Sequence, residues 1–465
     1  MSQEQNLGWK AHAKEGAYDS KLPVLSKEEE EFLLVLSNNF SEYAKENDAS
    51  SPELAKKALE TLLPSTLENE GVEVDEEQEK YLMRAAVAHL CGFAPLDKML
   101  SDPTIEEIAT IGINKPVYVY IRKKGWMETN VSFSSMDHLI HTINKMSRPL
   151  GRRITSQSPR LNALLPEGHR LHASIPPLSE GELTIRLHSA TPWTVADILA
   201  AKSSTPNALA FLWLAFQSDS SILVAGNTSS GKTTLLNSLF SFVPLDERVV
   251  LIEETPELKL SHAHVAKLIS SDELCIPMAE LVRDSLRMRP DRVIVGEVRT
   301  PPEAQAFAET LLSGQARGSY ATFHAQSATE ALRRLANLGI SEEDLPSLDF
   351  LVVQRRVARY DAKRKKSAEL RRMIGIYMTV KNQEKTKDTV SLLPIFEYDA
   401  RKDELNPSSN LPAALSYLSL KLGISSNACE KLYKERSRFI SRLSAKDGDK
   451  IISKIQKFAY GDNAV

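Results

Sequence analysis

The feature that most constrains this chain is "GNTSSGKTT", Gly226 to Thr234, set between the apolar run "SSILVAG" and the helix-patterned "GKTTLLNSLFSFV". It fits the phosphate-loop pattern in full, a match expected by chance in on the order of one chain in a hundred of this length. Gly226 and Gly231 let the backbone N–H groups of Asn227, Thr228, Ser229 and Ser230 curl around phosphates at the positive end of the following helix. Lys232 then reaches the β- and γ-phosphates, Thr233 ligates magnesium, and Thr234 follows in the same cradle. The implied cofactors are ATP and Mg2+.

The sequence after the loop keeps alternating. "RVVLIEET", "RVIVGEV" and "GSYATFHA" are strand-like, and "MAELVRDSLRM", "PEAQAFAETLLSG" and "ATEALRRLANL" have helical periodicity. That alternation predicts a parallel sheet covered by helices. Ligands of such sheets bind beyond the carboxyl ends of the strands. Glu253 and Glu254, then Glu297 and Arg299, then His324 each fall at that end of a predicted strand. ATP hydrolysis needs water positioned and charge neutralised on the transferring group. Glu253 is the first candidate to orient or deprotonate that water and Glu254 the second. Glu297 stands where many phosphate-loop enzymes carry an aspartate and is placed to hold the magnesium hydration shell, and Glu254 joins it and Thr233 as a magnesium candidate, partly through water. Gly296 would let the backbone approach the nucleotide. His324 is placed to sense the γ-phosphate, or is a hydrogen-bonded strand-end histidine. Arg287 and Arg292 read as solvated. Arg170 and Arg186 lie far upstream, where the nucleotide-binding core does not explain them, and an arginine reaching in from another domain or subunit can accelerate phosphoryl transfer ~10³–10⁵-fold.

Around this core the chain divides by composition. Residues 1–78 read as an acidic extension, partly disordered and partly helical. Residues 79–195 read as an α+β domain, 196–218 as a helical connector, 219–400 as the nucleotide domain and 401–465 as a small helical cap. "DFLVVQRRVARY" and "LRRMIGIYMTV" suggest a hairpin joined by a basic turn. Three cysteines without a CxxC pair argue for a reducing compartment, and the histidines of "SHAH" and "HRLH" lack partners at metal-ligand spacing. The longest apolar run, "ALAFLWLAF", is far short of the ~20 residues that span a bilayer. A cytoplasmic protein with at most peripheral membrane contact is expected.

"GNTSSGKTTLLNSL", "LIEETPEL", "LVRDSLRMRPDRVIVGEVRTPPEA" and "GSYATFHAQSATEALRRL" follow one another in an order and spacing that resemble the secretion-system motor ATPases. That superfamily serves type II and type IV secretion, type IV pili and the archaellum. The similarity extends upstream through "APLDKMLSDPTIEEIATIGINKPVYVY" and "SPRLNALLPEGHRLHASIPPL", covering roughly residues 90 to 340, and is greatest to archaeal members. The resemblance implies a PAS-like N-terminal domain, a RecA-like ATPase domain and a homo-hexameric ring. It makes Glu297 the usual carboxylate of its "GE" motif, Glu253 the catalytic carboxylate, and Arg170 and Arg186 the arginines that close over the nucleotide. It also implies a polytopic membrane platform protein as partner, with location at the inner face of the cytoplasmic membrane. Two departures stand out: Gln315 occupies the place of the first histidine in the family's His box, and the four-cysteine zinc subdomain of bacterial type II enzymes is missing.

The leading expectation is therefore a hexameric motor that drives assembly of a pilus-like filament, an archaellum, or protein secretion. Pilus retraction, a nucleic-acid translocase and an ATP-gated scaffold are the alternatives. A net charge of −3 and the lack of an aromatic-interleaved basic stripe speak against nucleic acid. The basic run Arg355 to Arg372 is either solvated or faces anionic lipid.

Overall fold

Val117, Val119 and Ile121, the alternate residues of "VYVYI", are buried, so this strand turns one face to a core. The computed structural model describes residues 7–461 except 8, 12–15, 49–50, 94, 122–123, 188–191, 272–273, 362–364, 385–386 and 449. The chain divides into two units, Met1–Ser189 and Ala190–Val465.

The first unit holds an antiparallel sheet of seven strands: β1 (Trp9–Ala11), β2 (Ile105–Ile111), β3 (Pro116–Ile121), β4 (Gly125–Phe133), β5 (Arg160–Leu164), β6 (Arg170–Ser174) and β7 (Glu182–Arg186). Their order across the sheet is β1-β4-β3-β2-β7-β6-β5. The helices are α1 (Lys27–Glu46), α2 (Pro52–Glu70), α3 (Glu76–Leu90), α4 (Asp97–Ser101) and α5 (Met136–Ser147). Leu139, Ile143 and Met146 of α5 join the sheet core, whereas α1, α2 and α3 share a separate core around Leu36, Leu59, Leu63 and Ala85. Capping boxes at Ser26 with Glu29 and at Asp75 with Gln78 fix the starts of α1 and α3. The expected disordered beginning needs correcting at one place. Trp9–Ala11 pair with Val131–Phe133, and the Trp9 ring stacks 3.8 Å from His89. Three residues are too few to show a periodicity, so the strand is set by partners more than a hundred residues away.

The second unit opens with α6 (Val195–Ala200) and α7 (Pro206–Gln217). Thr205 caps α7, and every residue from Ala208 to Phe216 is buried, as expected for a helix apolar on all sides. The strands are β8 (Ile222–Gly226), β9 (Val249–Glu253), β10 (Val265–Ile269), β11 (Arg292–Val298), β12 (Gly318–Phe323), β13 (Phe350–Asp361), β14 (Lys366–Glu384), β15 (Lys387–Asp399) and β16 (Glu404–Pro407). They form one sheet in the order β10-β9-β11-β12-β8-β13-β14-β15-β16. The run from β10 to β13 is parallel, and β13 to β16 is antiparallel. The helices α8 (Lys232–Leu239), α9 (Met278–Ser285), α10 (Pro301–Leu312) and α11 (Ala328–Asn337) alternate with these strands. They are followed by α12 (Leu411–Leu422), α13 (Ser426–Ile440) and α14 (Lys450–Tyr460). Strand β8 is thus central, with apolar neighbours on both sides, and its carboxyl end delivers the phosphate loop.

Arg292 is a second correction. It does not face solvent but is 1% exposed at the amino end of β11. Its guanidinium meets Glu247 at 2.6 Å, Asp219 at 2.7 Å and the Tyr320 hydroxyl at 3.0 Å. A buried charge persists only when it is paired and hydrogen-bonded, and these three partners come from separate segments. Among the described residues no helix is long and apolar enough to cross a membrane.

Candidate functional site

The phosphate loop leaves β8 at Gly226 and enters α8 at Lys232. Gly226 is there because a Cβ would lie 2.1 Å from the Gln354 carbonyl oxygen on neighbouring β13. Ser229 and Gly231 both have left-handed backbones, at φ +59° and +92°. Ser230 is fully buried, and its Oγ has no hydrogen-bond partner among the described residues. Thr228 is exposed, and Asn227, Thr233 and Thr234 are half-buried.

Lys232 is 7% exposed, and its Nζ donates to the Gly226 and Asn227 carbonyls at 3.2 and 3.5 Å. Glu297 Oε1 lies 4.0 Å from that Nζ and 2.8 Å from His324 Nε2, and His324 Nδ1 is 3.5 Å from the Nζ. This arrangement suits a neutral ring that donates from Nε2 to the carboxylate and turns its lone pair at Nδ1 toward the ammonium. Burial, joined by the Lys232, Arg334 and Arg299 charges, lowers the His324 pKa against the raising effect of Glu297.

Glu253, at the end of β9, is 4% exposed. Burial raises its pKa to about 7, although the backbone N–H groups of Glu257 and Leu258 donate to its Oε1 at 2.9 and 3.1 Å. Gly296 borders this carboxylate, since a Cβ there would stand 2.9 Å from Glu253 Cγ and 3.3 Å from the Ile252 carbonyl. The glycine therefore makes room for a side chain of the same chain, a reason different from the nucleotide approach that the sequence suggested. Glu254 points to solvent and is taken up by the Arg299 guanidinium, whose Nε is also 3.9 Å from Glu297. Arg299 thereby ties two strand ends together.

Several further residues support the site. Glu303 accepts from the N–H groups of Arg299 and Thr300 at 2.7 and 3.1 Å, which fixes the turn after Glu297. Thr322 Oγ1 donates to the Gly296 carbonyl at 2.6 Å, and Arg334 donates to the carbonyl of His324. Only the Thr300–Glu303 capping-box spacing was readable in advance. Gln315 is exposed in the loop before β12, at the opposite end of that strand from His324.

Arg170 and Arg186 belong to the first unit, where they face each other across β6 and β7, with Arg186 exposed. Arg356, Arg359, Arg371 and Arg372 of the basic run are engaged within the second unit. Arg359 and Arg372 both pair with Asp403 at 2.8 Å, and Arg356 lies 3.5 Å from Glu369. Residues 362–364 of that run lie outside the described residues. His262 is buried beside Phe240, His264 bonds Arg248 and His172 bonds Asn162.

A family model described as "Type II/IV secretion system protein" matches residues 90–401. The chain belongs to this family. Among relatives of this type II/IV secretion family, the uncharacterized protein MJ0781 of Methanocaldococcus jannaschii is 39% identical over 220 residues, 44% of this chain and 30% of the relative. MJ0900 of the same archaeon is 27% identical over 338 residues, 70% of this chain and 59% of the relative, so the match covers less than two thirds of either archaeal relative's own length. The type IV secretion system protein PtlH of Bordetella pertussis is 33% identical over 53% of this chain and 80% of its own length. Of solved structures, the VirB11 ATPase from the Brucella suis type IV secretion system, in complex with sulphate, is 27% identical, covering 61% of this chain and 92% of that one at a TM-score of 0.32.

Proposed function

We propose that this chain is a Mg2+-dependent, ATP-hydrolysing motor that works as a homo-hexamer on a polytopic membrane platform, at the inner face of the cytoplasmic membrane. It would power filament assembly or protein secretion. The observation that carries the reading is the meeting of Lys232, Glu297 and His324 at the carboxyl ends of adjacent parallel strands, with Glu253 buried one strand further on. The donor set suits a triphosphate: the loop supplies N–H groups, Lys232 supplies charge, and buried Ser230 Oγ has unused capacity. Thr233 and Glu297 would hold the metal, with Glu254 nearby on Arg299. When bound, Mg2+ neutralises charge that develops on the transferring phosphoryl group.

The remaining work falls to the chain. Lys232 binds and orients the β- and γ-phosphates. Glu253 accepts a proton from the attacking water, for which a pKa of about 7 is well matched. His324 and Arg299 keep the Glu297 carboxylate in place. Arg170 and Arg186 would complete the site in the ring, as the motif resemblance implies.

Gly296→Ala gives a local check. The added methyl should displace the Glu253 side chain, so kcat falls by about tenfold or more while ATP affinity stays near wild type. Steady-state kinetics beside equilibrium ATP binding measure both, and an unchanged kcat would remove Glu253 from the reaction. For the class of motor, turnover is compared with anionic vesicles and with single-stranded DNA. Stimulation by vesicles alone supports the membrane-platform reading, and stimulation by DNA alone replaces it with a translocase.

A further inference from the structure

The basic hairpin β13–β14 does something the motifs do not announce. In its antiparallel register Arg356 stands opposite Arg371, Arg355 opposite Arg372 and Gln354 opposite Met373. The first pair grips the phosphate loop. The backbone N–H of Arg356 donates to Asn227 Oδ1 at 3.0 Å, and Arg371 Nε donates to the Ser229 carbonyl at 3.0 Å. The Arg371 side chain runs along the loop, with its Cδ 3.6 Å from where a Cβ on Gly231 would be.

Between those grips lies a turn closed by Ser230 N–H donating to the Asn227 carbonyl at 3.2 Å. Its third residue, Ser229, has φ +59°, a position that such turns normally give to glycine or asparagine. Serine holds a left-handed backbone only at a cost, so something outside the turn must keep it there. A charge-assisted hydrogen bond to the Ser229 carbonyl is the kind of contact that can do so.

We infer that Arg371 is a positioning residue for nucleotide binding: it holds the Asn227–Ser230 turn in the form that cradles phosphates. The next two register pairs give this hold a second attachment. Arg372 donates to the Ala201 carbonyl at 3.0 Å and pairs with Asp403, Gln354 Nε2 donates to Ser203 Oγ at 2.8 Å, and Met373 N–H donates to the Ser203 carbonyl at 2.7 Å. The hairpin therefore links the loop between α6 and α7 to the phosphate loop.

The inference rests on the nucleotide-binding reading proposed above, and the experiment separates the two. ATP affinity, KM and kcat are measured for the full chain, for Lys232→Ala, Arg371→Ala and Arg371→Lys, and for Arg371→Ala combined with Ser229→Gly. Arg371→Ala should weaken ATP binding and raise KM about tenfold, with kcat held within about twofold. Arg371→Lys, which keeps a charged donor, should recover part of the loss. Glycine at 229 accepts the left-handed backbone without help, so the double variant should recover most of it. Wild-type affinity in Arg371→Ala overturns the inference, as does a loss that Ser229→Gly leaves in place. If Arg371→Ala does not fold, Arg371→Lys with and without Ser229→Gly carries the same comparison. If the wild-type chain binds no ATP, or binds it as well as Lys232→Ala does, the nucleotide-binding reading itself fails.

Discussion

Glu297→Gln is expected to leave ATP bound while turnover falls by about a hundredfold or more. The side chain sits 2.8 Å from His324 Nε2 and 4.0 Å from Lys232 Nζ, so its charge organises the polar groups at the strand ends. Glutamine keeps the shape and loses the charge. It can still touch His324, yet it holds a magnesium shell poorly and no longer balances Lys232 and Arg299. Phosphate loop and helix terminus are untouched, so binding measured by calorimetry should stay near wild type while phosphate release nearly stops. Wild-type turnover in this variant would show that Glu297 serves structure alone.

Glu253→Gln should act on a different quantity. As the proposed base, Glu253 must be ionised, so wild-type turnover should rise with pH through about 7. The variant should lose roughly a hundredfold or more of activity together with that limb of the profile. Stability should move the other way. The folded pKa is raised above the ordinary value of 4.5, because burial disfavours the charged form. The contribution of Glu253 to stability is therefore fully present below the unfolded pKa and lost as pH rises through about 7. At pH 8 the buried charge costs on the order of 3 kcal/mol, which the neutral amide removes. Glu253→Gln should then melt at a higher temperature than wild type at pH 8 and at nearly the same temperature at pH 4. A variant that is less active and less stable at pH 8 would point to a purely structural carboxylate.

Much of the second unit could be read in the sequence, because each buried parallel strand is a short continuous apolar run ending in polar residues. "SSILVAG", "RVVLIEET", "RVIVGEV" and "GSYATFHA" correspond to β8, β9, β11 and β12, and their polar ends lie at one edge of the sheet. What escaped has physical causes. Strands β1 and β10 are edge strands of three and five residues, too short for a period to emerge. Strand β15 pairs antiparallel with β14 and β16 with β15, so the sheet runs on past residue 400 into the stretch read as a helical cap. Arg292 looks like any strand-start arginine until Glu247, Asp219 and Tyr320 are brought around it. The basic hairpin looks like a solvated turn because charge density is visible in a sequence and its partners, Asp403 and the Ser229 carbonyl, are not.

The most direct test of the motor reading is phosphate release by the purified full chain with Mg–ATP, measured beside Lys232→Ala and with Mg2+ removed by chelation. Steady turnover by the wild type, lost in both controls, is the expected result. Release that persists in Lys232→Ala, or a wild type that binds Mg–ATP and never turns it over, would contradict it.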